Sequence, residues 1–434
     1  MSSTSSLPKR RKLATNGFSD KIVLGTDYSG LETPAIALRK LGLDFRHAFA
    51  CEKNLTCRKV ITHGFSPEIV YPDILDRDVS STPKVNLYIF GFPCQPYSRA
   101  GQQHGINDAR AKLLVHNLRY ILTHLPIVVL AENVAAFADN IKHNATRQVL
   151  VSTLERAGYE VREAIHNTRN WGIPQQRCRW YLLAILSSHV RQRAGGLTLD
   201  NMHPTVSCYT EEESLAHSDN QGPALMQIVK RLPADIWKKC PSPDDDKLGY
   251  DNVMRAYSRV AAGDPRTGTP PANPFLVALV IDKGCSEKFS HFTRDVCPTL
   301  CSSRCKGGGY WCSTKGGPLT AQDMARLSGF NLSDLGLRNK SQSDGRVASK
   351  IPVGELKAAV GNCMSVNTLM EILPRVLFLA KIITHDEYTQ ACDADEAWRS
   401  VRQEVLDEEA GIIDEIDERH MAYYHPSLPG KKDS

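Results

Sequence analysis

No run of about eighteen apolar residues occurs in the 434-residue chain, so it offers no helix able to cross a membrane. It also lacks the apolar leader of a secreted protein, and no acidic residue precedes Asp20. The 13 cysteines are scattered rather than arranged as a framework, which points to a reducing compartment over a disulfide scaffold. Cys297, Cys301, Cys305 and Cys312 lie close together, yet their spacing has no paired short knuckle. Unliganded thiols and no metal are the expectation there, with structural zinc as the alternative. Hydrophobic periodicity is missing from residues 187–274, where proline, glycine and polar residues dominate.

Charge of one sign is scarce only locally. Between Asp386 and Arg419 there are 13 acidic and 3 basic side chains, a net of −10. The whole chain carries +5, so the remainder carries +15. A basic body with an acidic tail suits a polyanionic partner, although scattered surface lysines and arginines would also keep an ordinary protein soluble. The opening twenty residues are Ser/Thr-rich and basic. Pro8-Lys9-Arg10-Arg11-Lys12 reads as a nuclear-import patch, with an organelle transit peptide left open.

From Lys21 the chain alternates strand and helix. Ile22–Leu24 reads as a strand, followed by the turn Gly25–Gly30 and a helix over Thr33–Leu41 with Pro34 at its start. Such a turn aims backbone N–H groups and a helix N-terminus at a ligand. Phe45–Cys51 is the next strand and ends at Glu52, placed to accept ribose hydroxyls. A helix (Asn54–His63) leads to a third strand end at Val70–Ile74, carrying Asp73. Further on, helix Ala111–Thr123 precedes strand Ile127–Ala131, which opens on Glu132-Asn133-Val134. A carboxyl at the mouth of a buried strand is costly to ionise, which suits a proton donor, or it caps the next helix. Arg177 and Arg179, two apart beside the apolar Tyr181–Ile185, would address one pocket if both lie in a strand.

The stretch that organises the rest is Gly91–Gly101, GFPCQPYSRAG. It follows the short apolar strand Val85–Phe90. A cysteine held between Pro93 and Pro96 at a strand's carboxyl end, among Gln95, Tyr97 and Ser98, reads better as a nucleophile than as a core thiol. With Gly105, Asp108, Arg110 and Leu113 following, this block resembles the cytosine-C5 DNA methyltransferase family, which uses S-adenosylmethionine. Other blocks appear in order. They are the turn around Tyr28 and Gly30, Glu52, Asp73-Ile74, Glu132-Asn133-Val134, Gln175-Gln176-Arg177-Cys178-Arg179, Pro318–Phe330 and Val360–Val366. The resemblance covers about Ile22–Ile185 and Gly316–Leu379. One departure stands out: the family's turn usually has a second glycine two residues after the first, and here that place is Glu32. A carboxylate there would either attract a sulfonium or narrow the pocket.

The resemblance implies an α/β fold, a Rossmann-like class I methyltransferase domain with a smaller target-recognition domain inserted before the C-terminal return. The expected divisions are a disordered tail over 1–20, a catalytic domain over 21–186, target recognition over 187–315, the return over 316–385 and an acidic tail over 386–434, helical over Asp386–His420. It implies Cys94, Glu132, Arg177 and Arg179 as catalytic residues. Tyr28, Ser29, Gly30, Glu52, Asp73, Ile74, Pro93, Leu113, Asn362 and Cys363 would serve the cofactor S-adenosylmethionine. Gln95, Ser98, Asn133, Gln175, Arg304 and Lys306 would serve the substrate, and Gly307–Trp311 would suit a groove-facing loop. The expected partner is double-stranded DNA with a flipped cytosine. Two alternatives stay open. One is a tRNA methyltransferase on the same fold, although its Cys-Phe-Thr motif is absent and only His291-Phe292-Thr293 approaches it. The other is a catalytically silent nucleic-acid-binding scaffold.

Overall fold

The computed structural model describes residues 21–93, 113–139, 144–191, 196–203, 244–263, 278–287, 291–307, 309–336 and 351–395. Strand and helix alternate first through β1 (Ile22–Asp27), α1 (Thr33–Lys40), β2 (Phe45–Cys51), α2 (Leu55–Gly64) and β3 (Ile69–Tyr71). There follow β4 (Leu87–Phe90), α3 (Leu113–His124), β5 (Val128–Val134), α4 (Ala136–Asp139), α5 (Asn144–Arg156), β6 (Tyr159–Asn167) and β7 (Cys178–Leu186). The strands form one seven-stranded sheet in the order β3-β2-β1-β4-β5-β7-β6. All neighbours from β3 to β5 run parallel, and β7 is antiparallel to both β5 and β6.

Alternation along the strands explains why the sheet is covered on both faces. Leu87 and Ile89 of β4 and Val128 and Leu130 of β5 join α1 in one apolar layer. Tyr88, Phe90, Val129 and Ala131 point the other way, to Tyr120 and Ile121 of α3 and Leu150 and Leu154 of α5. The strand order reverses between β1 and β4, and a cleft opens at the carboxyl ends of an α/β sheet at such a point.

The smaller unit begins with α6 (Lys247–Ala261), β8 (Leu279–Asp282) and β9 (Phe292–Arg294), and continues through α7 (Ser302–Lys306), β10 (Tyr310–Cys312) and β11 (Gly317–Pro318). Its four strands pair antiparallel in the order β11-β10-β8-β9. Val253, Ala256, Tyr257 and Val260 of α6 cover one face at Leu279, Ile281, Phe292 and Trp311. The other face does not have a core of its own, because Val280, Tyr310 and Cys312 belong to the same apolar cluster as Leu24 and Ile89. β11 carries this sheet past Lys315, where the return was expected to begin. Tyr310 and Trp311 are buried in β10, so these two aromatics belong to the sheet core rather than to a groove-facing loop.

The return consists of α8 (Ala321–Arg326), α9 (Val353–Asn362) and α10 (Val366–Leu379). Thr320 and Asp323 close a reciprocal cap on α8: the Asp323 N–H donates to Thr320 Oγ1 at 3.1 Å, and the Thr320 N–H to Asp323 Oδ2 at 2.8 Å. α10 begins at Val366 rather than Thr368 because the Ser365 side chain caps it. It is buried along most of its length, packs against α1, and tolerates Pro374 inside it. Residues 385–395 of the acidic segment are helical, and the rest of that segment lies outside the described residues. No helix among the described residues is long and apolar enough to cross a membrane.

Candidate active site

At the reversal point lies a cleft. The end of β1 and the turn after it supply Thr26–Gly30, and the start of α1 supplies Thr33 and Pro34. Ile89 and Gly91 come from the end of β4, Glu132 from the end of β5, and Asn362, Cys363 and Met364 from the return. A side chain at Gly91 would stand 3.0 Å from Met364 and 3.4 Å from Glu132 Oε2, so a Cβ there would crowd the cleft. Of the residues expected to act, the fold thus brings Tyr28, Ser29, Gly30, Glu132, Asn362 and Cys363 to one cleft.

β5 runs on through Val134, past the expected end at Ala131, because Glu132, Asn133 and Val134 pair with Tyr181, Trp180 and Arg179 of β7. Glu132 is therefore a strand residue rather than a helix cap. Burial pushes its carboxyl above the ordinary range, with Arg179 and then Arg177 opposing that rise. Arg179 Nε lies 3.3 Å from Glu132 Oε1.

The two arginines make different contacts. β7 starts at Cys178, so only Arg179 lies in the strand. The buried Arg177 points elsewhere and donates to three backbone carbonyls: Leu300 at 3.1 Å, Gly361 at 3.2 Å and Cys363 at 2.7 Å. It ties the sheet to the inserted unit and to the cleft wall. Asn133, expected to meet substrate, is buried and donates from Nδ2 to the Phe92 carbonyl at 3.2 Å. It thereby holds the backbone two residues before Cys94. Gln175 is likewise buried, with neither atom of its amide group hydrogen-bonded, and does not line the cleft. Cys94, Gln95 and Ser98 lie outside the described residues.

On the cofactor side, Glu52 follows β2 and accepts the Gly30 N–H at 2.8 Å and the Asn54 N–H at 2.7 Å. It braces the turn while each oxygen keeps a lone pair for another donor. Asp73 faces Lys53 at 2.8 Å. Partial burial raises its carboxyl, but Lys53 and the Leu75 N–H outweigh this and leave it below the ordinary range. Ile74 is buried, Pro93 is half-buried, and the Leu113 carbonyl accepts from the Tyr28 hydroxyl at 3.3 Å. Glu32, the departure in the turn, neither reaches nor narrows the cleft, because its side chain is turned wholly into the interior.

Sequence reasoning passed over the group beneath the turn. Asp27, at the last position of β1, is buried and paired with Arg77, and also accepts from Tyr88 Oη and from Asn117 Nδ2. The Tyr28 hydroxyl reaches Asn117 Oδ1 at 3.2 Å, linking the turn to α3. The guanidinium of Arg77 lies over Phe49, Tyr71 and Tyr120. An acid ending an apolar strand was the available signal, but its partners come from three separate segments.

The expected DNA contacts are otherwise engaged. Arg304 donates to the Gly284 carbonyl at 2.7 Å and pairs with Asp282 at 3.3 Å, and Lys306 pairs with Glu355 at 2.5 Å. Cys297, Cys305 and Cys312 are buried and Cys301 is exposed, and no set of three potential ligands among the described residues could hold a metal.

A match to the family described as C-5 cytosine-specific DNA methylase runs over residues 28–377. Among curated relatives, type II methyltransferase M.NlaX of Neisseria lactamica is 35% identical over 147 residues, 34% of this chain and 47% of that protein. Type II methyltransferase M.NgoBI of Neisseria gonorrhoeae is 31% identical over 239 residues, 53% of this chain and 72% of that protein. The first three relatives are matched over less than half of their own length. A solved structure of S. pombe Dnmt2 methyltransferase superposes with a TM-score of 0.48 at 15% identity, over 82% of this chain and 98% of that one. The family match runs from the turn after β1 into the last return helix, and the chain belongs to the C-5 cytosine-specific DNA methylases.

Proposed function

We propose that the chain transfers a methyl group from S-adenosylmethionine to C5 of cytosine in DNA, with the base flipped out of the duplex. The observation that carries this reading is Glu132, a nearly enclosed carboxyl joined to Arg179, lining the same cleft as the glycine turn. The residues present fit the cofactor. A side chain at Gly30 would meet nothing nearer than the Tyr28 carbonyl at 3.9 Å, so the turn offers open backbone. Glu52 has lone pairs free for two hydroxyls. Bound there, S-adenosylmethionine supplies an electrophilic methyl group.

Cytosine C5 is too weak a nucleophile to take that methyl unaided. In this reading the Cys94 thiolate bonds to C6, and Glu132 gives its proton to N3, so the electron pair needed at C5 develops without a ring anion. A raised carboxyl pKa keeps that proton available near neutrality. Arg179 orients the Glu132 carboxylate and offers a donor to the cytosine O2. A base then takes the C5 proton, the C6–S bond breaks, the thiolate leaves, and the N3 proton returns to Glu132. Flipping costs on the order of a few kcal/mol of unstacking.

Incubation of the chain with labelled cofactor and either duplex DNA or tRNA tests the reading. Label in DNA cytosine, lost in Cys94→Ser, is the expected result. A duplex containing 5-fluorocytosine should give a denaturant-stable adduct with the unsubstituted protein alone, since fluorine cannot leave as a proton does. Label in tRNA only would transfer the substrate assignment to RNA, and no label in either would favour a binding scaffold.

A further inference from the structure

Glu32 occupies the place where the family's turn usually carries a second glycine, and the backbone explains that preference. Its φ of 55° and ψ of 42° lie in the left-handed region, which disfavours any residue with a Cβ. A glutamate that accepts this conformation needs compensating contacts, and the side chain makes them. Fully buried, its Oε1 accepts from Thr26 Oγ1 at 2.7 Å. Thr26 Oγ1 shares a 2.8 Å hydrogen bond with Ser29 Oγ, which in turn accepts the Cys51 N–H at 3.2 Å. The Glu32 N–H closes the loop by donating to the Ser29 carbonyl at 2.8 Å. This chain of bonds runs directly beneath Tyr28, Ser29 and Gly30, whose upper side faces the cleft.

Two groups are left over. Glu32 Oε2 has no hydrogen-bond partner, and neither ring nitrogen of His47 has one, although His47 Nε2 stands 3.7 Å from Glu32 Oε1. At that distance the imidazole lies beside the carboxyl without bonding to it, and a neutral carboxyl suits such a buried, unpaired setting better than a carboxylate. Burial favours that state, pushing the Glu32 carboxyl up to about 8 and holding His47 neutral, down to about 3.

We propose that Glu32 is a positioning residue for cofactor binding: through Thr26 and Ser29 it forms an internal strut that sets the shape of the Tyr28–Gly30 turn. The inference rests on the cofactor reading of the cleft.

Calorimetric titration of the full chain with S-adenosylmethionine tests it through Glu32→Ala, Glu32→Gly and Glu32→Gln, alongside a DNA-binding measurement. Alanine keeps the left-handed strain and loses the strut, glycine relieves the strain and loses the strut, and glutamine keeps a neutral acceptor and donor. Glu32→Ala and Glu32→Gly should each weaken cofactor binding about ten-fold, the effect of one buried hydrogen bond. Glu32→Gln should bind within about two-fold of the unsubstituted chain, and DNA affinity should be unchanged in all three. Because glycine suits the backbone, Glu32→Gly remains informative if the alanine variant fails to fold. Glycine binding as tightly as glutamate, or glutamine binding as weakly as glycine, would overturn the strut. An unsubstituted chain that binds DNA but no cofactor would instead remove the reading beneath it, and the inference with it.

Discussion

At the scale of single residues, two buried carboxyls near the cleft should behave differently. Glu32 has an ordinary unfolded value near 4.5 and a folded one of about 8, raised by burial against hydrogen bonds from Thr26 and Ser29. Glu52 adds to the rise and Arg39 opposes it, while His47 faces the group from β2. Its stabilising contribution is therefore complete below about pH 4.5 and declines as pH rises to about 8, above which no more is lost. Glu32→Gln does not titrate. Urea unfolding should show that variant gaining on the unsubstituted chain by up to a few kcal/mol between pH 5 and 9, with a plateau beyond. A difference that stays constant across this range would mean that Glu32 is ionised in the fold. Glu132 is tied to chemistry instead. Glu132→Gln should leave cofactor affinity near normal while turnover falls roughly 10²- to 10⁴-fold, the usual worth of a positioned acid. Single-turnover methylation at saturating DNA measures it, and an unaffected rate would remove Glu132 as the proton donor.

At the scale of elements, the cleft depends on clamps between segments far apart in the chain. Arg177 holds the carbonyls of Leu300, Gly361 and Cys363, so it fastens β7 to the segment before α7 and to the end of α9. Close approach at the same seam needs Gly361, where a side chain would stand 2.8 Å from the Ser302 nitrogen. Lysine cannot reach three carbonyls in a planar fork. Arg177→Lys should cost about 2–4 kcal/mol in urea unfolding and loosen the wall formed by Asn362 and Cys363, with cofactor affinity falling as well. Stability loss without any change in cofactor binding would separate the clamp from the cleft. Glu52→Ala should raise the cofactor dissociation constant roughly ten- to a hundred-fold, because it removes both a hydroxyl acceptor and the brace on the Gly30 N–H.

At the scale of the whole molecule, the two sheets share one apolar cluster, so the inserted unit is not a detachable reader. A segment swap that ends at Lys315 would cut β11 from β10, and a swap meant to transfer sequence choice has to run through Pro318. Arg304 joins α7 to the β8 end through Asp282 and Gly284. Arg304→Ala should therefore lower the melting temperature and leave the salt slope of DNA binding unchanged, whereas a true phosphate contact would reduce that slope by about one. Filter binding across a salt series, read beside thermal unfolding, decides between them.

What the sequence determined by itself is whatever rests on local chemistry. Alternating apolar runs, Pro34 at a helix start, the Gly30 turn and acids at strand ends mark an α/β sheet with a ligand at its carboxyl edge, since each depends on neighbours in the chain. Those same signals identify Glu132 and Glu52. Tertiary structure alone decided which polar side chains face the cleft and which hold it together. Arg177 and Arg179 look equivalent in sequence, yet one meets Glu132 and the other three carbonyls, because β7 begins between them. Asn133 and Arg304 are likewise drawn into backbone bonds by segments remote in the chain. Glu32 could not be read as interior, because β2, which brings His47 beside it, covers it only when β1 and β2 lie side by side. A charged residue advertises the surface until the fold supplies buried partners, and those partners are long-range contacts that no local pattern encodes.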